Sequence, residues 1–173
     1  MKPTRLLFST LLLGAAAVVA SCGEPSPAAP ELQVPALQAS RASSSTSLLE
    51  CRPLAYDSVT KTIGQKGGSI RVSKHVLVIP DGALSRSVKI TLVAPSDTVN
   101  RIRFQPEGLL FQLPASLTMS YANCNANKAT RPKQVAYVND SLAILEVVPS
   151  VDDISGNRVT GRLRHFSGYA VSW

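Results

Sequence analysis

Residues 88–92 read Val88-Lys89-Ile90-Thr91-Leu92, and apolar side chains alternate with polar ones along the whole stretch. Because successive side chains of a β-strand point to opposite faces, this period of two predicts a strand with one buried and one solvated face. The alternation recurs in four segments: Arg101–Phe104, Leu117–Tyr121, Arg158–Leu163 and Gly168–Trp173. Shorter apolar runs favour four further strands: Ser69–Val72, His75–Ile79, Gln134–Val138 and Leu142–Val148.

Turn-forming residues separate these runs. They are Gly67-Gly68, Pro80-Asp81-Gly82, Gln105-Pro106-Glu107-Gly108 and Asn139-Asp140, the last of which predicts a hairpin turn. No long amphipathic helical pattern lies between them. The sequence therefore predicts an all-β fold, an antiparallel β-sandwich, over residues 51–173.

Residues 1–21 predict a targeting segment rather than a folded one. A basic start precedes the apolar run Leu6–Val19, which is shorter than the roughly 20 residues of a membrane-spanning helix. The segment Val19-Ala20-Ser21-Cys22 resembles the bacterial lipobox, which implies cleavage before Cys22 and its acylation, with palmitate among the acyl groups. An ordinary secretory signal followed by a chance cysteine is the alternative. Gly23 favours the outer membrane over the inner one.

Residues 22–50 predict a lipidated, disordered tether. The segment is rich in proline, alanine and serine, and such a composition buries too little apolar surface to fold. The expected organisation is therefore a signal peptide at 1–21, a flexible tether at 22–50 and a β-sandwich at 51–173. We expect a monomer at the cell envelope, held to the membrane by its lipid.

Three segments with defined glycine and proline positions resemble the ZU-five domain of zonula-occludens proteins, netrin receptors, ankyrins and many bacterial surface proteins. They are Ile63–Ile70, Leu77–Leu84 and Phe104–Leu109 followed by Phe111 and Pro114. The resemblance covers roughly residues 59–121, and a later tripeptide, His165-Phe166-Ser167, extends it towards the C-terminus. It implies a β-sandwich that serves protein interaction or assembly more often than catalysis, although fold alone does not fix function.

The chain has three cysteines. With Cys22 assigned to the lipid, Cys51 and Cys124 remain as a pair, and an exported chain should oxidise them to a disulfide. Two free buried thiols are the alternative.

Basic residues exceed acidic ones. Without Lys2 and Arg5, 16 basic residues stand against 11 acidic ones, a net charge of about +5. Six basic residues at outward-facing strand positions predict a basic sheet face: Arg71, Lys89, Arg101, Arg103, Arg158 and Arg162. Of these, Lys89, Arg101 and Arg103 are the candidates for contact with an anionic partner, either a lipid headgroup, lipopolysaccharide or an acidic protein. A merely solvated face is the alternative, and the few aromatic residues speak against nucleic acid.

The sequence predicts no metal site, no cofactor and no recognisable catalytic motif. His75 and His165 are far apart, and we expect His75 to be exposed because it follows Lys74. Asp152-Asp153 could lie near a calcium ion, but adjacent carboxylates in a loop are usually only solvated. The expected function is a non-catalytic binding or structural module at the cell envelope, and a hydrolase with an unrecognised site is one alternative.

The rival hypothesis is a self-processing domain. His165-Phe166-Ser167 resembles the self-cleavage motif of a subset of ZU-five domains. In that chemistry the Ser167 hydroxyl attacks the Phe166 carbonyl with His165 as general base, and water hydrolyses the resulting ester. Alternatively, the tripeptide only forms the turn into the last strand.

Overall fold

The computed structural model describes residues 46–128 and 131–173, so the predicted signal peptide, the lipidation site and most of the tether lie outside the described residues. The described residues form eleven strands and a short 3-10 helix at Ala126–Lys128. The strands are β1 (Asp57–Ile63), β2 (Gly68–Val72), β3 (His75–Ile79), β4 (Val88–Ala94), β5 (Arg101–Gln105), β6 (Leu110–Ser120), β7 (Gln134–Val138), β8 (Ile144–Val148), β9 (Ser150–Asp153), β10 (Arg158–His165) and β11 (Gly168–Ser172).

The strands form two sheets. One has six strands in the order β1-β4-β5-β11-β7-β8, and the other has five in the order β2-β3-β6-β10-β9. Every named pair is antiparallel, and the chain repeatedly passes from one sheet to the other. The predicted all-β antiparallel sandwich is confirmed.

The inner faces of both sheets supply the core. In β4, Ile90 and Leu92 are completely buried whereas Lys89 is exposed, as the alternation predicts. Leu117 of β6 and Leu163 of β10 belong to the same buried cluster from the opposite sheet. Burial of each such side chain contributes roughly 1.5–3 kcal/mol, so these alternating positions hold the two sheets together.

Glycine is required at the turn that joins β1 to β2, which lie in different sheets. Gly67 has a φ of +68°, and a Cβ atom built there would collide with the carbonyl oxygen of Ile79. A side chain at this position would therefore meet both backbone strain and a backbone clash. The Gly67-Gly68 dipeptide is thus explained by the local geometry of the turn.

Three parts of the sheets were not predicted: strand β1, strand β9, which is also mostly not buried, and the first half of β6. Strand β1 is mostly exposed and polar, so the sequence shows no apolar alternation there. Strand β6 starts at Leu110, not at the predicted Leu117. Its first half was not predicted because those residues are only partly buried. The register of this half against β10 also shifts between Leu163 and His165. Strands without a continuous buried face carry no period-two signal.

The folded domain also starts before the predicted boundary at Cys51. The backbone of Ser47 exchanges two hydrogen bonds with that of Trp173, and the Leu49 amide donates to the Val171 carbonyl at 2.9 Å. Leu49 is 2% exposed and belongs to the core. These residues therefore pack along β11 instead of belonging to the tether.

The predicted disulfide between Cys51 and Cys124 is confirmed. Beside it, the side-chain amides of Asn100 and Asn123 exchange hydrogen bonds of 2.8 and 3.0 Å. The Asn123 amide also donates to the Arg52 carbonyl at 2.7 Å. The start of the domain is thus joined to the segment after β6 by one covalent bond and a small amide network.

Candidate functional site

An open groove with a volume of about 850 Å³ lies on the outer face of the six-stranded sheet. It crosses β4, β5, β11 and β7 and ends at the turns on either side. We call it the outer groove, and its main lining residues are Lys89, Arg101, Arg103, Asn139, Asp140 and Gly168. Its volume falls within the range of ordinary ligand pockets.

The groove exists because the middle strand has almost no side chains on this face. Gly168 of β11 lies in register between Arg103 of β5 and Val138 of β7, and Ala170 is the next outward-facing residue. A Cβ atom at Gly168 would lie 2.9 Å from the Val138 carbonyl oxygen, so even alanine would be too close. The floor at β11 is therefore lower than the strands on both sides.

The three candidate residues for an anionic partner meet in this groove. Lys89, Arg101 and Arg103 all line it. The larger basic face predicted from six residues is wrong, because the other three lie on strands of the five-stranded sheet: Arg71, Arg158 and Arg162. The two outer faces of a sandwich point in opposite directions, so alternation alone cannot place residues on the same one.

Carboxylates balance part of the positive charge. Arg103 pairs with Asp140 at 3.0 Å, and this contact reaches across β11 above Gly168. Arg101 pairs with Asp97 at 2.9 Å. The Arg103 side chain is 47% exposed and Asp140 is 92% exposed, so this ion pair contributes little to stability. Arg103 is therefore accessible to a competing anion.

Arg101 is less accessible than sequence alone suggests. Its side chain is 15% exposed, and its Nε atom is buried without a hydrogen-bond partner among the described residues. The guanidinium is thus held at the edge of the groove by Asp97. Lys89 and Arg103 are the exposed cations of the outer groove.

In the tripeptide His165-Phe166-Ser167, His165 ends β10, and Phe166 and Ser167 form the connection to β11. Phe166 is completely buried. Its ring stacks on Phe104 with centroids 4.8 Å apart and contacts Phe111 edge-on at 4.9 Å. The Phe166 side chain is therefore a central part of the aromatic core.

Backbone hydrogen bonds hold both sides of the Phe166–Ser167 bond. The Phe166 amide donates to the Leu109 carbonyl at 2.8 Å, and its carbonyl accepts from the Gly108 amide at 2.9 Å. The Ser167 carbonyl accepts from the Phe104 amide at 3.2 Å. These bonds tie the tripeptide to the Phe104–Leu109 segment.

The structure does not bring His165 and Ser167 together. Ser167 lines the outer groove, whereas His165 lines a different cleft, where its Nδ1 atom lies 3.4 Å from the Tyr169 hydroxyl. Within residues 46–128 and 131–173, no hydrogen bond joins the Ser167 hydroxyl to the His165 ring. The geometry thus pairs His165 with Tyr169.

The expectation that His75 is exposed is wrong. Its side chain is 2% exposed, and its Nδ1 atom accepts a hydrogen bond from the Ser120 amide at 3.2 Å. Burial, and secondly the charge of Lys74, lower the pKa of His75 to about 4. His75 is therefore neutral at physiological pH and acts as a hydrogen-bond acceptor inside the five-stranded sheet.

Asp152 and Asp153 lie on strand β9, not in a loop. Asp152 accepts hydrogen bonds from the Tyr121 hydroxyl at 2.6 Å and the Lys133 amide at 2.8 Å. Hydrogen bonds from the Ser155 hydroxyl, the Gly156 amide and the Arg158 guanidinium lower the pKa of Asp153 to about 2. Among the described residues no cluster suited to a metal ion occurs. The contacts of the two carboxylates are therefore structural.

In the part of the chain that the structure describes, no helix is long and apolar enough to cross a membrane. Comparison with known proteins finds no family model and no curated protein that matches this chain.

Proposed function

We propose that this chain is a lipid-anchored lipoprotein whose β-sandwich is a non-catalytic binding or structural module at the cell envelope. The outer groove would be its binding surface, and an anionic envelope component or acidic protein segment its partner. The observation that carries this proposal is the convergence of Lys89, Arg101 and Arg103 on one groove of ligand-sized volume.

The charge distribution in the outer groove suits recognition better than catalysis. Arg103 is exposed and the side chain of its partner Asp140 is almost fully exposed, so an anionic ligand group can replace Asp140. Lys89 lies on the adjacent strand and would supply a second positive charge. A ligand with two or more separated negative charges would contact both cations.

Replacing Lys89 and Arg103 together by serine is expected to weaken binding to anionic vesicles or lipopolysaccharide by about tenfold and to reduce its salt dependence. The two charges attract such partners through a screened Coulomb interaction, whereas their surface ion pairs add little stability. Co-sedimentation at two salt concentrations and the melting temperature measure both effects.

Arg71→Ser/Arg158→Ser is the matched control, because it also removes two positive charges from exposed side chains, but on the five-stranded sheet. It should bind nearly as wild type does. Equal losses in this variant and in the Lys89→Ser/Arg103→Ser variant would mean that only overall charge matters and that the outer groove is not the site.

The anchor is tested at Cys22. A Cys22→Ala variant is expected to leave the membrane fraction or to accumulate as an uncleaved precursor, because stable anchoring requires acyl chains. Fractionation combined with intact-mass measurement distinguishes mature, lipidated and precursor forms. Cys51→Ala controls for the loss of a cysteine and should remain anchored. Membrane association of a mature-sized Cys22→Ala protein equal to wild type would refute lipidation at this residue.

Relationship to the ZU-five domain is part of this proposal. It is supported by the packing of the motif segments, since the Phe104–Leu109 segment and His165-Phe166-Ser167 contact each other through rings and backbone. Self-processing at the Phe166–Ser167 bond fits the geometry less well. The hydrogen bonds on both sides of that bond and the separate position of His165 favour an architectural role for the tripeptide.

A further inference from the structure

A second, smaller cleft lies where the two sheets meet, between β8 of the six-stranded sheet and β10 of the five-stranded sheet. Its volume is about 160 Å³. We call it the seam cleft, and its polar lining residues are Glu146, Arg162, Arg164, His165 and Tyr169. It is separate from the outer groove and shares no lining residue with it.

The seam cleft has an excess of positive charge, two arginines against one glutamate. Arg162 and Arg164 are both exposed, and among the described residues neither has a carboxylate within ion-pair distance. This differs from Arg101, Arg103 and Arg158, each of which has an aspartate partner. Two like charges that share a small cleft repel each other, and a bound anion would remove that repulsion.

One wall of the seam cleft is formed by His165 and Tyr169. The Tyr169 hydroxyl donates to the His165 carbonyl at 2.8 Å and lies 3.4 Å from the ring Nδ1 atom. This contact holds the His165 ring at the wall of the cleft, where Tyr137 also packs against it with centroids 5.2 Å apart. These contacts fix the position of the His165 ring, whereas the exposed side chains of Arg162 and Arg164 have no ion-pair partner among the described residues.

We propose that the seam cleft binds a phosphate group, held by the guanidinium groups of Arg162 and Arg164. Guanidinium groups bind phosphate through paired, charge-assisted hydrogen bonds. A volume of about 160 Å³ admits an ion of this size with some water but is below the range of pockets for larger organic ligands. The phosphate comes either from a free ion or from the headgroup of a lipid.

Glu146 is expected to lower the affinity of the seam cleft for phosphate. Its carboxylate lines the same space and would repel a bound anion. Glu146→Gln should therefore tighten phosphate binding by roughly threefold to tenfold, whereas Arg162→Gln and Arg164→Gln should each weaken it by about tenfold or more. Damage to the fold would weaken phosphate binding in all three variants. Tighter binding by Glu146→Gln together with weaker binding by the two arginine variants would therefore indicate electrostatic recognition.

The test uses inorganic phosphate in calorimetric titration and vesicles of phosphatidylcholine with phosphatidic acid in co-sedimentation, both in phosphate-free buffer. Arg71→Gln is the control, because Arg71 is exposed on the same sheet but at its opposite edge. Melting temperatures verify folding of each variant. Binding in the first assay indicates a free ion, and binding in the second assay alone indicates a lipid headgroup.

Either result supports the proposal if the two arginine variants lose binding and Arg71→Gln retains it. Absence of binding in both assays would overturn the proposal, as would equal binding by all variants. Each protein in this test, including the reference, also carries Lys89→Ser and Arg103→Ser, so that the outer groove, itself proposed to bind anionic vesicles, does not contribute to the result.

Discussion

Replacing both Cys51 and Cys124 by alanine is expected to lower the free energy of unfolding by roughly 4 kcal/mol. The disulfide joins residues 73 positions apart, and the chain-entropy model gives about this value for a loop of that length. The effect arises chiefly in the unfolded state, whose conformational freedom the crosslink restricts. Such a loss is a large fraction of the total stability of an ordinary domain, about 5–15 kcal/mol.

Urea unfolding of the oxidised protein and of the Cys51→Ala/Cys124→Ala variant measures this difference. The reduced wild-type protein is the control, because it lacks the crosslink but keeps both side chains. A loss below about 1 kcal/mol in both would show that the crosslink restricts the unfolded chain little. The Asn100–Asn123 pair and the contacts of Leu49 would then suffice to hold the start of the domain.

Acid is expected to destabilise the domain through His75. The pKa of His75 is about 4 in the folded protein against 6.5 in the unfolded chain, so the unfolded state binds more protons between these values. The stability from this residue is therefore complete above pH 6.5, falls as the pH decreases towards 4, and does not fall further below that. The shift corresponds to a loss on the order of 3 kcal/mol.

Unfolding by urea at several pH values tests this expectation through the difference between wild type and His75→Gln. The glutamine oxygen can still accept from the Ser120 amide but does not titrate, so the variant should lose much less stability across this window. His165→Gln is the control, because His165 is only partly buried. In this variant the free energy of unfolding should depend on pH as it does in wild type. If the free energy of unfolding of His75→Gln fell with decreasing pH as much as that of wild type, His75 would not be the cause of the acid sensitivity.

The case of His75 also shows which sequence signal to follow. Its neighbour Lys74 favoured an exposed position, but His75, Leu77 and Ile79 have the same parity in β3, and all three are buried. The alternation of the whole strand was the better guide. A buried neutral histidine with one backbone donor fits such a face when its hydrogen bond is satisfied.

The arrangement of the charged residues could not be derived in the same way. Arg71 and Arg103 both alternate with buried residues, yet their strands belong to different sheets. Likewise, the Arg103–Asp140 pair depends on β11 lying between β5 and β7, although β11 is the last strand in the chain. Local alternation contains no information about such long-range neighbours.

Local features were enough to predict the all-β class, most strand positions, the inward side of each alternating strand and the pairing of Cys51 with Cys124, because these depend on local period, turn residues and a short list of cysteines. The fold was needed to show that Lys89, Arg101 and Arg103 line one groove and that Arg162 and Arg164 line a cleft between the sheets. Both sites arise from pairings between strands distant in the chain, and the packing of the whole core fixes those pairings.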